Sequence, residues 1–196
     1  MTQRTPIKVS AAHARLLFQG CTETYIRTVC YGRCCESPRD AVGYRVGVVP
    51  WEEGPLRELG AVVGGGRLVG PNPETMRCPF KGDDGLCTIH TSGHKPLTCR
   101  ISPFVINRNN TLITKNRNRC MTCYRDKTVA KTPAYIAYRA SLEALFGKPE
   151  ADRIVRKLDD GAGDFMANMS EDMYRDYMTT VHHYTPVPRK SQKYKP

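Results

Sequence analysis

No apolar run in this 196-residue chain approaches the roughly 18 to 20 residues needed to cross a bilayer, which argues against a membrane-spanning helix. The opening MTQRTPIKVSAAHARLLFQG is too polar for a secretory h-region, and no small-residue cleavage site follows it. The expected location is therefore cytoplasmic. Catalytic signatures are missing as well: there is no GxSxG, no HExxH, and no H-x-E with a PCxxC partner, so hydrolase and deaminase readings have no support. Gly64-Gly65-Gly66 is not followed by GK[ST], and the last position of a GxGxxG reading is Val69, which makes this stretch a structural turn. No RRM, KH or helix-turn-helix signature offers base reading. Acidic residues are also scarce, 19 against 30 Lys and Arg, leaving a formal net charge of +11.

What the chain does have is sulfur. Nine cysteines (Cys21, Cys30, Cys34, Cys35, Cys78, Cys87, Cys99, Cys120 and Cys123) fall between positions 21 and 123, and none follows. A disulfide framework fits them poorly. The count is odd, no export signal precedes them, and the neighbours Cys34 and Cys35 cannot easily bond to each other across a trans peptide. Burial as small hydrophobes accounts for one or two cysteines, not for a cluster with paired spacings. Part of the basic excess then balances thiolate charge, and the remainder favours an acidic partner.

A hydrophobic content of 40% supports a globular protein, and the length suits one domain with an appended helical part. The pattern predicts an α+β fold: a loop-rich, metal-stapled cysteine-cluster domain with short strands and a C-terminal helical element. An N-terminal segment, 1–20, carries a helix over 10–19 with Ser10 as N-cap and Gly20 as stop. The cysteine-cluster domain spans 21–131 and is loop-like from Cys21 to Asp40. It has a strand at 44–49, a helical turn in WEEGPLRELGA, a hairpin around Gly64–Gly66 and a short strand at 111–114. C-terminal helices fill 132–183, the first opened by Thr132 and Pro133 as N-cap and N1 and ended by Gly147. In that helix Tyr135, Tyr138, Leu142 and Leu145 share one face. The second runs from Pro149 to Leu158. The third starts near Ser170 and buries Met169, Met173, Tyr177 and Val181. Residues 184–196 form a flexible basic tail.

Thiol ligands for zinc or iron come in pairs two to four residues apart, because a short loop can then aim two sulfurs at one ion. Cys120 and Cys123 have that spacing, and Cys30 with Cys34 is close to it. Cys78, Cys87 and Cys99 join them in glycine- and proline-rich loops. In an extended stretch Cys34 and Cys35 point to opposite sides, so they would serve different ions or bridge a cluster. The candidate ligands are Cys30, Cys34, Cys35, Cys78, Cys87, Cys99, Cys120 and Cys123, with Cys21 too far upstream to join the first run. Eight thiols match two four-sulfur sites, or an iron–sulfur cluster plus one structural site. Zinc and iron both accept such ligands. A radical enzyme's CxxxCxxC is not present, since the third thiol follows Cys34 at once. His90 is read as a packed or hydrogen-bonded side chain, with a ligand role as the alternative. His182 and His183 are given no metal role.

These residues resemble the zinc- or iron-chelating cysteine-cluster family of the CxxCxxCC or YkgJ type. The match lies in Cys30, Cys34 and Cys35 as a run ending in a vicinal pair, then Cys78-Pro79-Phe80, Asp84-Gly85-Leu86-Cys87-Thr88-Ile89-His90, Lys95-Pro96-Leu97-Thr98-Cys99-Arg100 and Pro103. It covers roughly residues 20 to 125. His90 stands in place of the family's tyrosine and Lys95 in place of its arginine, and CYGRCC is one residue longer than the tight form. The resemblance implies metal binding and leaves any reaction undefined.

From Arg100 to Lys131 there are eight basic residues and one acid, Asp126. Arg108, Lys115, Arg117 and Arg119, interleaved with asparagines, form a candidate phosphate-contacting strip for nucleic acid or an acidic protein. The competing account is a solvated face that offsets thiolate charge. The expected function is thus zinc or iron binding by thiolates. The alternatives are an iron–sulfur redox or modification enzyme and a zinc-stabilised nucleic-acid-binding module.

Overall fold

The computed structural model describes residues 3–35, 46–64, 68–69, 77–119 and 122–181. It shows an α+β fold built on a mixed four-stranded sheet. Its strands are β1 (Arg4–Val9), β6 (Phe104–Ile106), β7 (Thr111–Thr114) and β9 (Phe165–Ser170), in the order β6-β7-β1-β9. Two lesser pairings complete the strand set. β2 (Leu17–Phe18) pairs with β8 (Thr132–Pro133), and β5 (Leu68–Val69) lies between β3 (Val46–Gly47) and β4 (Val63–Gly64).

Period-2 patterning explains the sheet. In β1 the side chains of Ile7 and Val9 are buried and alternate with Lys8, which faces out and pairs with Asp164. β9 does the same with Ala167 and Met169. β1 runs antiparallel to β9 along its whole length, from Arg4 opposite Ser170 to Val9 opposite Phe165, and parallel to β7 at Lys8–Thr111. β6 and β7 form a hairpin whose turn places Asn110 at φ +51, a left-handed conformation that asparagine tolerates. Its Asn107 side chain accepts from the amides of Asn109 and Thr111.

The helices are α1 (Ala11–Ala14), α2 (Glu23–Tyr25), α3 (Glu53–Glu58), α4 (Leu97–Arg100), α5 (Asn116–Arg119), α6 (Thr122–Arg125), α7 (Ala134–Ala137), α8 (Arg139–Phe146), α9 (Lys148–Asp159) and α10 (Glu171–Val181). The main core joins Ile7 and Val9 to Phe104, Ile106, Leu142, Leu145, Ile154 and Tyr177. A second apolar cluster gathers Val46, Val48, Leu56, Val63, Val69, Phe80 and Ile89 beneath the cysteine loops.

Several expectations need correction. The helix expected over 10–19 stops at Ala14, since Leu17–Phe18 is drawn into pairing with Thr132–Pro133. Cys21–Asp40 is not loop-like where it is described: α2 continues as a π-helical turn over Ile26–Cys30, and a 3-10 turn covers Arg33–Cys35. Thr132 and Pro133 are strand residues, so Pro133 takes the N-cap place, and the helix breaks at Tyr138 (φ −126). Met169 lies in β9, before the last helix. The strands β1 and β9 were missed because short alternating runs beside helical segments are easily absorbed into them. The helix expected from Pro149 is there as α9, with Glu150 in its first turn. The tail 184–196, His182 and His183 lie outside the described residues.

Candidate metal centre

The cysteine loops are held by backbone contacts that only glycine permits. Tyr31 and Gly32 have φ of +49 and +59, and Gly85 has φ +81. A Cβ on Gly32 would lie 2.2 Å from the Gly85 carbonyl oxygen, and one on Gly85 would lie 2.8 Å from Tyr31 backbone. The CYGRCC loop and the DDGLC turn therefore pack backbone against backbone. Arg27 pairs with Asp84 across the same contact, and Asp84 Oδ1 accepts the Leu86 amide at 3.0 Å. The Cys78 amide donates to the Cys35 carbonyl at 2.9 Å, bringing the third segment alongside.

The thiols fall into two neighbourhoods by the groups that influence each one, and Cys34 and Cys35, whose sulfurs are 3.8 Å apart, link the two. The inner set is Cys35, Cys78, Cys87 and Cys99, with Cys78 buried in the second apolar cluster and the others packed on it. Cys87 is placed by its bridge to Lys81, and Cys99 by α4. α4 is in turn anchored by the buried Glu52. Its Oε1 accepts from the Leu97 amide at 2.7 Å and lies 3.4 Å from Arg100, and its Oε2 accepts from the Val49 amide at 3.1 Å. Burial pushes the Glu52 carboxyl up from its usual range. A hydrogen bond from Cys35 pulls the Cys78 thiol down, helped by the Phe80 amide and opposed by burial and by the nearby Cys99 and Cys87. Cys35 moves the other way: Cys34 pulls it down, but Cys78, burial and Cys99 outweigh that and push it up to about 12.

The outer set is Cys21, Cys30, Cys34 and Cys123. The Gln19 amide donates to the Cys123 carbonyl at 2.8 Å, and α6 packs on both the π-turn that ends at Cys30 and on β2. Tyr138 donates its hydroxyl proton to the Gln19 carbonyl at 3.0 Å and stands 3.6 Å from the Cys21 sulfur. Cys21 is exposed as a residue, yet its sulfur turns toward Tyr138, and loss of water pushes the thiol up, with Cys34 and Cys30 adding to the rise. Burial, then Cys21, Cys30 and Cys34, push Cys123 up to about 12. Burial raises Cys30 as well, against the amides of Gly32 and Arg33, which favour its thiolate. Groups that destabilise one another's charge in this way are the ones a cation would relieve.

As they stand, no three His, Cys, Asp or Glu side chains among the described residues are gathered closely enough to hold an ion. The donor set suits zinc or iron: four sulfurs each, on short turns, with backbone amides aimed at Cys30 and Cys78. The eight described cysteines are thiols and not disulfides. Cys120 lies outside the described residues. Cys21, excluded on spacing, stands in the outer set because the chain returns beside it at Cys123, a tertiary contact that no local spacing announces.

His90 is exposed, with its Nδ1 2.9 Å from Lys95 Nζ, whose charge pushes the imidazole down. The basic strip is divided. Lys115 donates to the Thr98 carbonyl at 3.0 Å, Arg119 to Asn116, and Lys131 to the Tyr124 carbonyl. Arg108, on the β6–β7 turn, is exposed, as are Arg125 and Lys127. The Arg117 side chain lies outside the described residues. Among the described residues no helix is long and apolar enough to cross a membrane. No protein-family model matches this sequence, and no curated protein or solved structure matches it either.

Proposed function

We propose that this chain binds zinc or iron through cysteine thiolates at two adjoining centres, in a reducing, cytoplasmic compartment. The observation that supports the reading is the gathering of eight free thiols on neighbouring turns, linked where the Cys34 and Cys35 sulfurs lie 3.8 Å apart. All-thiolate sets of four are the donor chemistry of closed structural zinc sites and of iron–sulfur clusters. The resemblance to the cysteine-cluster family, which rests on the quoted residues alone, points the same way.

The test is metal analysis and absorbance of protein purified without oxygen. Colourless protein with stoichiometric zinc supports a structural role. Brown protein with acid-labile sulfide supports an iron–sulfur centre and, with it, the redox or modification enzyme. Full folding with neither metal bound overturns the proposal. A second reading, contact with nucleic acid or an acidic protein, is supported by the exposed Arg108, Arg125 and Lys127 on a strongly basic chain. Lys115 and Arg119 support it less, since both have intramolecular partners.

A further inference from the structure

We infer that Glu150 and Arg153 close the β9 edge of the main sheet against strand addition by a second copy of this chain. The inference is independent of metal binding. A sheet edge presents backbone N–H and C=O groups that another strand can pair with, so a fold has to cover it. In the order β6-β7-β1-β9 the two edges are β6 and β9. At β6 the Ile106 amide donates to the hydroxyl of Tyr177, a residue only 1% exposed, so a buried side chain of α10 meets this edge. β9 is six residues long and reaches solvent: Met166, Asn168 and Ser170 are exposed and alternate with the buried Ala167 and Met169.

Two hydrogen bonds occupy the outer side of that strand. Glu150 Oε1 accepts the Asn168 amide at 2.7 Å, and Arg153 Nη2 donates to the Met166 carbonyl at 2.7 Å. Those are the two groups that one residue of a parallel neighbouring strand would engage. The pair is itself fixed. Arg153 donates through Nη2 to Glu150 Oε1 at 2.6 Å and through Nε to Oε2 at 2.9 Å, and its guanidinium carbon stands 5.9 Å from the centre of the Phe165 ring. The strand beneath is suited to pairing with itself. Phe-Met-Ala-Asn-Met-Ser carries neither charge nor proline, the composition that favours strand-to-strand stacking. Two copies would meet β9 against β9, antiparallel about a twofold axis, so that one uncovered edge serves both partners.

The experiment compares full-length wild type with Glu150→Ala/Arg153→Ala by sedimentation over a range of concentrations, with amide hydrogen exchange at Asn168 read alongside. The double variant should self-associate about tenfold more tightly than wild type, or more. Its Asn168 amide should exchange fast in dilute solution and regain protection when concentrated, whereas the wild-type amide should be protected at both. Adding Met166→Lys to the double variant puts like charges on the paired strands and should return its mass to that of wild type. A folded double variant that associates no more than wild type overturns the inference. So does association that Met166→Lys leaves unchanged, which assigns it to general exposure of the core. Should the double variant not fold, Glu150→Gln/Arg153→Met keeps the side-chain volumes and frees only the Met166 carbonyl. It should associate in the same direction, and wild-type behaviour in that folded variant also overturns the inference.

Discussion

The inner and outer thiol sets share a dipeptide and little else. The inner four lie against an apolar cluster with Phe80 and Ile89, whereas of the outer four Cys21 and Cys34 are exposed and Cys30 and Cys123 half-buried, Cys123 against the main core. The inner cluster is small, built from loops, two-residue strands and Leu56 of α3. The outer set borders the main core through Phe18, whose ring centroid lies 5.1 Å from that of Tyr124 in a tilted contact and 5.8 Å from that of Tyr138 in an edge-on one. That core holds itself together without help. Thiol count alone would call the two sets equal, but the inner one packs on a small apolar cluster and the outer one on the edge of the main core.

The sharpest way to break the comparison is to remove one thiol from each set. Cys99→Ser should abolish inner metal and its contribution to folding, on the order of 10 kcal/mol for a structural site. Limited proteolysis should then open the segment from Cys78 to Cys99. Cys123→Ser should lose metal at the outer set while the segment stays protected. Equal proteolysis in the two variants would erase the distinction.

Gly85→Ala should come next in size. It forces a left-handed φ on a residue with a Cβ and drives that Cβ into Tyr31 backbone, costing roughly 1–2 kcal/mol for the conformation alone. Because this contact aligns both sets, metal content should fall at both, read by metal analysis after gel filtration.

Glu150→Gln tests the main core independently of metal. Burial pushes this carboxyl up, but hydrogen bonds from Arg153 and the Asn168 amide, with the Arg153 charge, outweigh it and leave it below its usual range. A depressed carboxyl stabilises the fold above its unfolded pKa and loses that contribution as pH falls through the folded value. Thermal melts should show the variant weaker by about 1–2 kcal/mol at neutral pH and converging on wild type in acid below pH ~4. Metal content should not change.

The smallest effect is expected from Arg108→Ala. If the exposed strip meets phosphate, this change should reduce the salt slope of single-stranded nucleic-acid binding by about one unit and leave the melting temperature alone. A slope unchanged at low salt assigns this arginine to the solvated face.

Legibility in the sequence followed locality. The strand at Thr111–Thr114, the hairpin about Gly64 and the amphipathic helix beginning near Pro149 are written in neighbouring residues, and they appear where expected. The opposed aim expected of Cys34 and Cys35 is not seen: they lie in a 3-10 turn rather than an extended stretch, and their sulfurs are 3.8 Å apart. What was hidden depends on distant chain. Leu17–Phe18 leaves the helical pattern only because Thr132–Pro133 comes to pair with it. Cys21 joins the outer set only because Cys123 returns to Gln19.

The pairing of β1 bears on how the molecule is born. Its neighbours are β7, about a hundred residues later, and β9, near the far end of the described chain. On a ribosome extending the chain by roughly 5–20 residues per second, Ile7 and Val9 wait seconds for the strand that covers them. During that interval Cys21 through Cys99 emerge on an unclosed chain. Non-local pairing of this kind slows folding, whereas ligand-bearing turns such as Cys78–Cys87 need only their own few residues. Nascent chains are therefore expected to form the cysteine-bearing turns first and to zip the sheet last; if those turns take metal, its supply during translation would bear on how much protein matures.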